Sequence, residues 1–429
     1  MAAGPLARVY VAGVGMTVFT KPGTVDYPDL VHTAVGRALA DAGLAAGSID
    51  LAVCGYVQGD SCAGQRALQG TGLREGVPVI NVNNNCATGS TALYVGRQAI
   101  LSSRARCVLV VGFDKMSRGP LKSTNYPDRA VPLQPLLEHM ISLNKDYDPA
   151  LHPVAAYLFG SAAREHSRLY GTTPEQYAAV AVKNSRHSAL NPYCQRRGAL
   201  TLEQVLGSRT VYSPLTLYQC CPTSDGAAAV VLCSEALRGP WTVELVGQSL
   251  VSVGSTSTCM DTVGYDMTAR AAAEALGEAG LCASNVDVAE VHDCFSSNEL
   301  ISCEAIGLCA KGEGGRAAEE HRFSLGGRGP VVNPSGGLLF KGHPLGATGV
   351  AQCCEVTWQL RGHAGLRQVP GAGVGLLHNL GLGGGCCVTI LKRTDTETTH
   401  LRSDPLLLQQ WEKGGRLEDS RPYARLSKL

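Results

Sequence analysis

The stretch Val79-Ile80-Asn81-Val82-Asn83-Asn84-Asn85-Cys86-Ala87-Thr88-Gly89-Ser90 decides the fold. Val79 to Val82 has strand character, and Pro78 stands just before it, where a missing N–H is tolerated. The asparagine run Asn83 to Asn85 reads as a turn. Thr88 to Leu101 reads as a helix, and Cys107 to Phe113 is a nearly continuous apolar run that reads as a buried strand. Upstream the alternation continues. Arg8 to Gly15 predicts a strand, Pro28 to Gly43 a helix with Leu30, Ala34 and Ala38 on one face, and Leu51 to Val57 another strand. Strands alternating with helices predict an α/β fold around a mostly parallel, buried sheet.

Composition shifts near Ser117. Residues 117–217 carry more Tyr, His, Pro and charge and lack strong strand runs, while Pro174 to Ser188 has a helical pattern. They read as an inserted helical region covering a site. Gly226 to Cys233 resumes the core pattern, Trp241 to Ser252 starts another strand, and Gly371 to Leu391 reads as strand, turn and strand. Ala87-Thr88-Gly89 recurs as Ala347-Thr348-Gly349, each time before a helix and then a strand, which suggests a duplicated α/β fold. The expected organisation is 1–116 with 218–238 as one half, 117–217 as the insert, 239–393 as the second half, and 394–429 as a polar tail.

The chain has 429 residues, 37 Lys plus Arg against 36 Asp plus Glu, and a net charge of +1. That balance gives no footprint for nucleic acid or an acidic membrane surface. With 45% hydrophobic and 17% charged residues, disorder is excluded as the dominant state. The uncharged run Gly371 to Leu391 is long enough to span a bilayer, but its glycines, His378 and Asn379 argue for a buried sheet, so no transmembrane segment is expected. The start Met1-Ala2-Ala3-Gly4-Pro5 lacks the basic opening of a secretory signal. Seventeen cysteines without any C-x-x-C spacing point to a reducing compartment and to cysteines used as small buried hydrophobes.

Four residues stand out from this background. Cys86 sits where a helix dipole and free N–H groups favour a thiolate and can hold an oxyanion; otherwise it is one more packing cysteine. His343, within Lys341-Gly342-His343-Pro344-Leu345-Gly346, lies in a tight turn before another helix, and with Cys86 it makes a Cys–His couple plausible. His292-Asp293-Cys294-Phe295 puts an imidazole and a second thiol at a strand end. No further ligand has zinc-like spacing, so no metal site is expected. Asn379-Leu380-Gly381-Leu382-Gly383-Gly384-Gly385 lacks G-x-G-x-x-G and suits close backbone approach to a ligand rather than a dinucleotide.

Taken together these motifs resemble the thiolases, and most closely the peroxisomal sterol-carrier-protein type. The matching stretches are residues 83–90, Cys220-Cys221-Pro222-Thr223-Ser224-Asp225-Gly226, His292 to Phe295, Asn333-Pro334-Ser335-Gly336-Gly337 and Gly342-His343-Pro344, within about residues 8 to 393. The resemblance implies the thiolase fold, with two five-stranded mixed-sheet halves in an α-β-α-β-α layering and a loop domain inserted in the first. Ordinary thiolases end their core with a C-x-G motif whose cysteine is the second acid/base; here that place reads Gly381-Leu382-Gly383. The resemblance passes that role to Cys294. Many relatives carry a sterol-carrier domain after the thiolase part, and the 36 residues after Arg393 are too few to hold one.

The implied reaction is CoA-dependent cleavage of a 3-oxoacyl-CoA. Cys86 would attack, His343 accept its proton, and His343 with a water on His292 stabilise the enolate. Cys294 would protonate the carbanion, and the backbone N–H groups of Cys86 and Gly383 would hold the acyl oxyanion. No metal or cofactor beyond CoA as co-substrate is implied. A homodimer is expected, and so is a peroxisomal matrix location through the address Ser427-Lys428-Leu429, read by the import receptor. A non-catalytic acyl-CoA or lipid binder and a condensing synthase are the competing readings.

Overall fold

The computed structural model describes residues 8–119, 128–144, 152–239, 242–252 and 254–394. The first half runs β1 (Val9–Met16), α1 (Tyr27–Ala42), β2 (Leu51–Gly55), α2 (Ala63–Leu68), β3 (Val79–Val82), α3 (Thr88–Leu101) and β4 (Cys107–Asp114). There follow α4 (Gln134–Leu143), α5 (Val154–Tyr170), α6 (Pro174–Ala189), α7 (Leu202–Leu206) and a small hairpin of β5 (Thr210–Tyr212) and β6 (Leu215–Thr216). Strand β7 (Gly226–Ser234) completes that half. The second half runs β8 (Val243–Ser252), α8 (Cys259–Thr262), α9 (Tyr265–Glu278), β9 (Val288–Glu290), α10 (Ser296–Ile306) and α11 (Gly314–Glu319). It ends with β10 (Val331–Val332), α12 (Gly337–Lys341), α13 (Leu345–Arg361), β11 (Val374–Gly381) and β12 (Gly385–Arg393).

The strand order is β10-β9-β11-β12-β8-β1-β7-β4-β2-β3. Replacing β1, β2, β3, β4 and β7 by β8, β9, β10, β11 and β12 turns one half into the other, so the duplication suggested by one tripeptide holds for the whole topology. Tyr10 opposite Glu244 and Val11 opposite Val243 join the halves into one sheet. The sheet is mixed, as the resemblance implies, and not mostly parallel, as the alternation of strands and helices suggests: β3–β2, β2–β4, β9–β10 and β9–β11 are parallel, and every other pairing is antiparallel. The expectation failed because a strand covered on both faces reads as an apolar run in either direction.

Helices fill three layers. α1 covers β1 and β7, α9 covers β8 and β12, and α3 and α13 pack together between strands of both halves. Asp26 accepts the Tyr27 N–H at the start of α1, and Gly43 ends it in the left-handed region at φ 65°. Every residue of α13 is buried. The two central helices approach closely because glycines face each other: a Cβ on Gly89 would stand 2.7 Å from the Gly346 carbonyl oxygen, and one on Gly349 2.4 Å from the Ser90 nitrogen. Small residues at this crossing bring the N-terminal ends of α3 and α13 side by side. Among the described residues no helix is long and apolar enough to cross a membrane.

Candidate active site

Cys86 lies in the turn from β3 to α3, buried at 6% exposure. Asn85 holds the left-handed conformation at φ 51°, which asparagine tolerates better than most residues. Thr88 fastens this turn: its Oγ1 accepts from the Asn84 N–H (2.8 Å) and donates to the Asn85 carbonyl (2.6 Å). The glycine loop between β11 and β12 lies directly on it. Asn85 Nδ2 donates to the Leu382 carbonyl at 3.1 Å, and a Cβ on Gly381 would fall 2.1 Å from the Asn84 oxygen. The close approach expected of these glycines is therefore at least partly to the Cys86 turn itself.

Position at a helix start predicts an acidic thiol. Burial wins instead and, helped by the Asp114 carboxylate, pushes Cys86 up to about 12. Backbone groups of Cys86 and Leu382 act in the lowering sense. A thiol in this state can act as a nucleophile only with a base beside it.

His343 supplies a neutral imidazole. Its backbone N–H donates to Ser224 Oγ at 2.9 Å, and its Nδ1 is 2.7 Å from Thr348 Oγ1. Thr348 donates its own proton to the Pro344 carbonyl, so it accepts from His343 Nδ1–H. Nε2 then carries the lone pair, and this buried atom has no hydrogen-bond partner within the protein. His292 is held in the same way. Its Nδ1 faces Asn379 Oδ1 at 3.3 Å, while Asn379 uses its Nδ2 on Ser90 Oγ (3.0 Å) and on Gln352. The two rings meet edge to face at 5.2 Å. Cys86 Sγ and one nitrogen from each ring lie within 4.8 Å of one another.

Cys294 is buried beside this cluster. Burial, then the neighbouring sulfurs of Cys221 and Cys86, push its thiol well above the usual range. Its carbonyl accepts from the Cys221 N–H at 2.9 Å, and Phe295 stacks on Phe159 of α5 at 5.0 Å. Cys221 is thus a third thiol at the site, inside the 220–226 motif but with no spacing of its own to mark it. Thr348, Asn379, Ser224 and Asp114 likewise carry no role in the sequence reading. The repeat Ala347-Thr348-Gly349 and a carboxylate ending the apolar run of β4 were the available signals. The predicted oxyanion donor Gly383 lies in the β11–β12 loop at φ 101°, next to the residue whose backbone acts on Cys86.

Buried charges lock the second-half loops. Asp293 accepts from the Leu338 N–H (2.7 Å) and from Asn184 Nδ2 (2.8 Å) of α6. Glu299 pairs with Lys183 at 3.0 Å and accepts from Asn333 Nδ2 at 2.8 Å. Lys341 pairs with Glu290 at 3.1 Å and donates to Ser335 at 2.8 Å. The helical region is therefore tied to the loops holding His292, Cys294 and His343. Replacing Lys183 by Met leaves Glu299 buried without its cation. We expect a loss of about 3–5 kcal/mol in urea unfolding; a change below about 1 kcal/mol would show that the pair holds nothing.

Burial also sets the acid response. It holds His187 and His378 down to about 3 and His292 to about 4, and pushes His343 well below its ordinary value, with His292 adding to the effect on His343. The unfolded chain protonates these rings near pH 6.5, so stability present above that pH is lost as pH falls. Burial raises Asp114 to about 6 and, with Glu299, raises Asp293 well above its usual range. These carboxyls protonate first in the folded state and act oppositely, offsetting two of the four histidines. Four histidines act against two carboxyls, so unfolding free energy should fall as pH drops from 6 to 4. A flat urea midpoint over that range would contradict it.

The description "Thiolase, N-terminal domain" matches residues 9–236, and "Thiolase C-terminal domain-like" matches residues 250–393. Sterol carrier protein 2 of Oryctolagus cuniculus is 49% identical over 400 residues, covering 90% of this chain and 72% of the relative. Non-specific lipid-transfer protein-like 2 of Caenorhabditis elegans is 44% identical over 392 residues, covering 88% and 94%. The human mitochondrial 3-ketoacyl-CoA thiolase structure superposes with a TM-score of 0.69 at 20% identity, covering 91% of this chain and 100% of that one.

Proposed function

Since the chain belongs to the thiolase family, we propose that it uses CoA to cleave a 3-oxoacyl-CoA into a shortened acyl-CoA and acetyl-CoA or propionyl-CoA. The observation that carries this is the cluster of Cys86, His292 and His343, with His343 Nε2 unpartnered in the protein and both Nδ1 atoms anchored. Cys86 Sγ attacks the 3-keto carbon as His343 Nε2 takes its proton. The carbon–carbon bond breaks, and the enolate oxygen is met by His343, now a donor, and by a water on His292. Cys294 gives the carbanion its proton and then deprotonates the incoming CoA thiol, whose sulfur displaces the acyl group from Cys86. The backbone N–H groups of Cys86 and Gly383 hold the oxyanion on the acyl side. The protein groups suffice for this route, with CoA as co-substrate and no metal.

The test is a thiolysis assay on 3-oxoacyl-CoA substrates of graded length, with and without 2-methyl branching. Consumption of at least one series supports the proposal, and inertness towards all of them overturns it. The lipid-transfer name of the nematode relative motivates a binder as the competing reading. A binder forms no covalent intermediate, so mass spectrometry for an acyl adduct on Cys86 after mixing with a 3-oxoacyl-CoA separates the two.

The proposal includes a homodimer and a peroxisomal matrix location. The open edge strand β3, with Ile80 40% exposed, supports self-association. Ser427, Lys428 and Leu429 lie outside the described residues; their support is the address they spell. A fluorescent protein carrying residues 394–429 at its C-terminus should become punctate with a peroxisomal marker, and diffuse when Ser427 to Leu429 are removed. Diffuse fluorescence from both would end that part of the proposal.

A further inference from the structure

The catalytic cluster has a second chemical capacity. Its three donors come from separate stretches of chain, which is why sequence spacing suggested no metal site. With both Nδ1 atoms engaged, the inward atom of each imidazole is Nε2, and each carries a lone pair. His343 Nε2 is unpartnered although its residue is only 3% exposed. Cys86 Sγ completes an N,N,S set within 4.8 Å. Zinc binds such donors at about 2.0–2.1 Å for nitrogen and about 2.3 Å for sulfur, which puts neighbouring donors roughly 3.5 Å apart. Asn379 and Thr348 fix the rings from behind, as outer partners of metal-bound histidines do.

We propose that Cys86, His292 and His343 form an inhibitory binding site for a thiophilic divalent cation of the Zn²⁺ type. On binding, the Cys86 S–H bond breaks, its proton leaves to solvent, and the sulfur electron pair forms the metal–sulfur bond; nothing is oxidised or reduced. Water fills the fourth position, as in open three-ligand zinc sites. The captured sulfur can no longer attack a substrate, and the captured nitrogens can no longer take a proton. Cation and thiolysis therefore exclude each other. The site itself needs only the three donor atoms, so metal binding without thiolysis would overturn the function proposed above and leave this inference standing.

The experiment uses the full chain stripped with EDTA and titrated with Co²⁺, then with Zn²⁺ in competition. We expect a sulfur-to-cobalt charge-transfer band that saturates at one equivalent and is bleached by Zn²⁺. Cys86→Ser should lose the band. His343→Gln and His292→Gln, each checked for native circular dichroism, should weaken Zn²⁺ by at least about tenfold, the lower end of what even an outer-partner change does. Saturating Zn²⁺ should block iodoacetamide at Cys86, and EDTA should restore labelling. A cobalt band that survives in Cys86→Ser would overturn the inference, because other thiols would then hold the metal. So would Cys86 labelling at the same rate with and without Zn²⁺.

Discussion

Cys86→Ala should abolish the acyl-enzyme and lower thiolysis by more than about 10⁴-fold, the scale on which loss of a covalent nucleophile is felt. The expected selectivity comes from the packing. Cys86 is buried among Met116, Leu345 and Val57, and its thiol donates only a long bond of 3.7 Å to Asn85 Oδ1, so a smaller apolar residue fits at little cost. The turn is held by Thr88 and by Asn85 on Leu382 through bonds much shorter than the 3.7 Å one from the sulfur. Circular dichroism and the urea midpoint should therefore stay near wild type. Mass spectrometry after mixing with a 3-oxoacyl-CoA reads the outcome directly. An acyl adduct that still forms on the variant would move the nucleophile elsewhere, with Cys221 the first place to look.

Cys294→Ala should slow cleavage by roughly 10² to 10⁴, the range for loss of a general acid. Substrate binding should change little, since the loop is held by the Cys221 N–H on the Cys294 carbonyl and by the Phe295–Phe159 stack. Burial keeps the Cys294 thiol protonated, which is the state an acid must start from. The measurement that separates this from a structural defect is the acyl-enzyme step. With a preformed acyl-Cys86, the variant should also be slow to transfer the acyl group to CoA, because the same sulfur deprotonates CoA. Full activity in the variant would return Cys294 to the packing cysteines and leave the acid role to Cys221.

Local signals were legible where local forces decide. The helix after Cys86 was bounded at Thr88 and Leu101, as observed, because its limits follow from an asparagine turn and the end of an apolar pattern. The hairpin in Gly371 to Leu391 was read for the same reason. Strand direction was not legible, because burial on both faces erases the difference. The thiol's state was misjudged in the other direction. A helix start is visible in sequence, but the layers that bury it, and Asp114 beneath it, are not. The partners of the two histidines were missed because Thr348, Asn379 and Ser224 gain meaning only from what the fold places opposite them.

The internal duplication has one more consequence. Thr88 and Thr348 occupy matching places in the two halves, each in the first turns of a central helix. Each accepts one hydrogen bond from the loop before its helix and returns one to a carbonyl of that loop. In the first half the accepted proton belongs to a backbone amide, and the loop presents a sulfur. In the second it belongs to an imidazole, and the loop presents that ring's bare nitrogen. The molecule is thus a quasi-symmetric pair whose two members differ in what this latch holds. In the proposed reaction one copy carries the atom that makes the new bond and the other the atom that receives the displaced proton, so neither half is a smaller version of the whole.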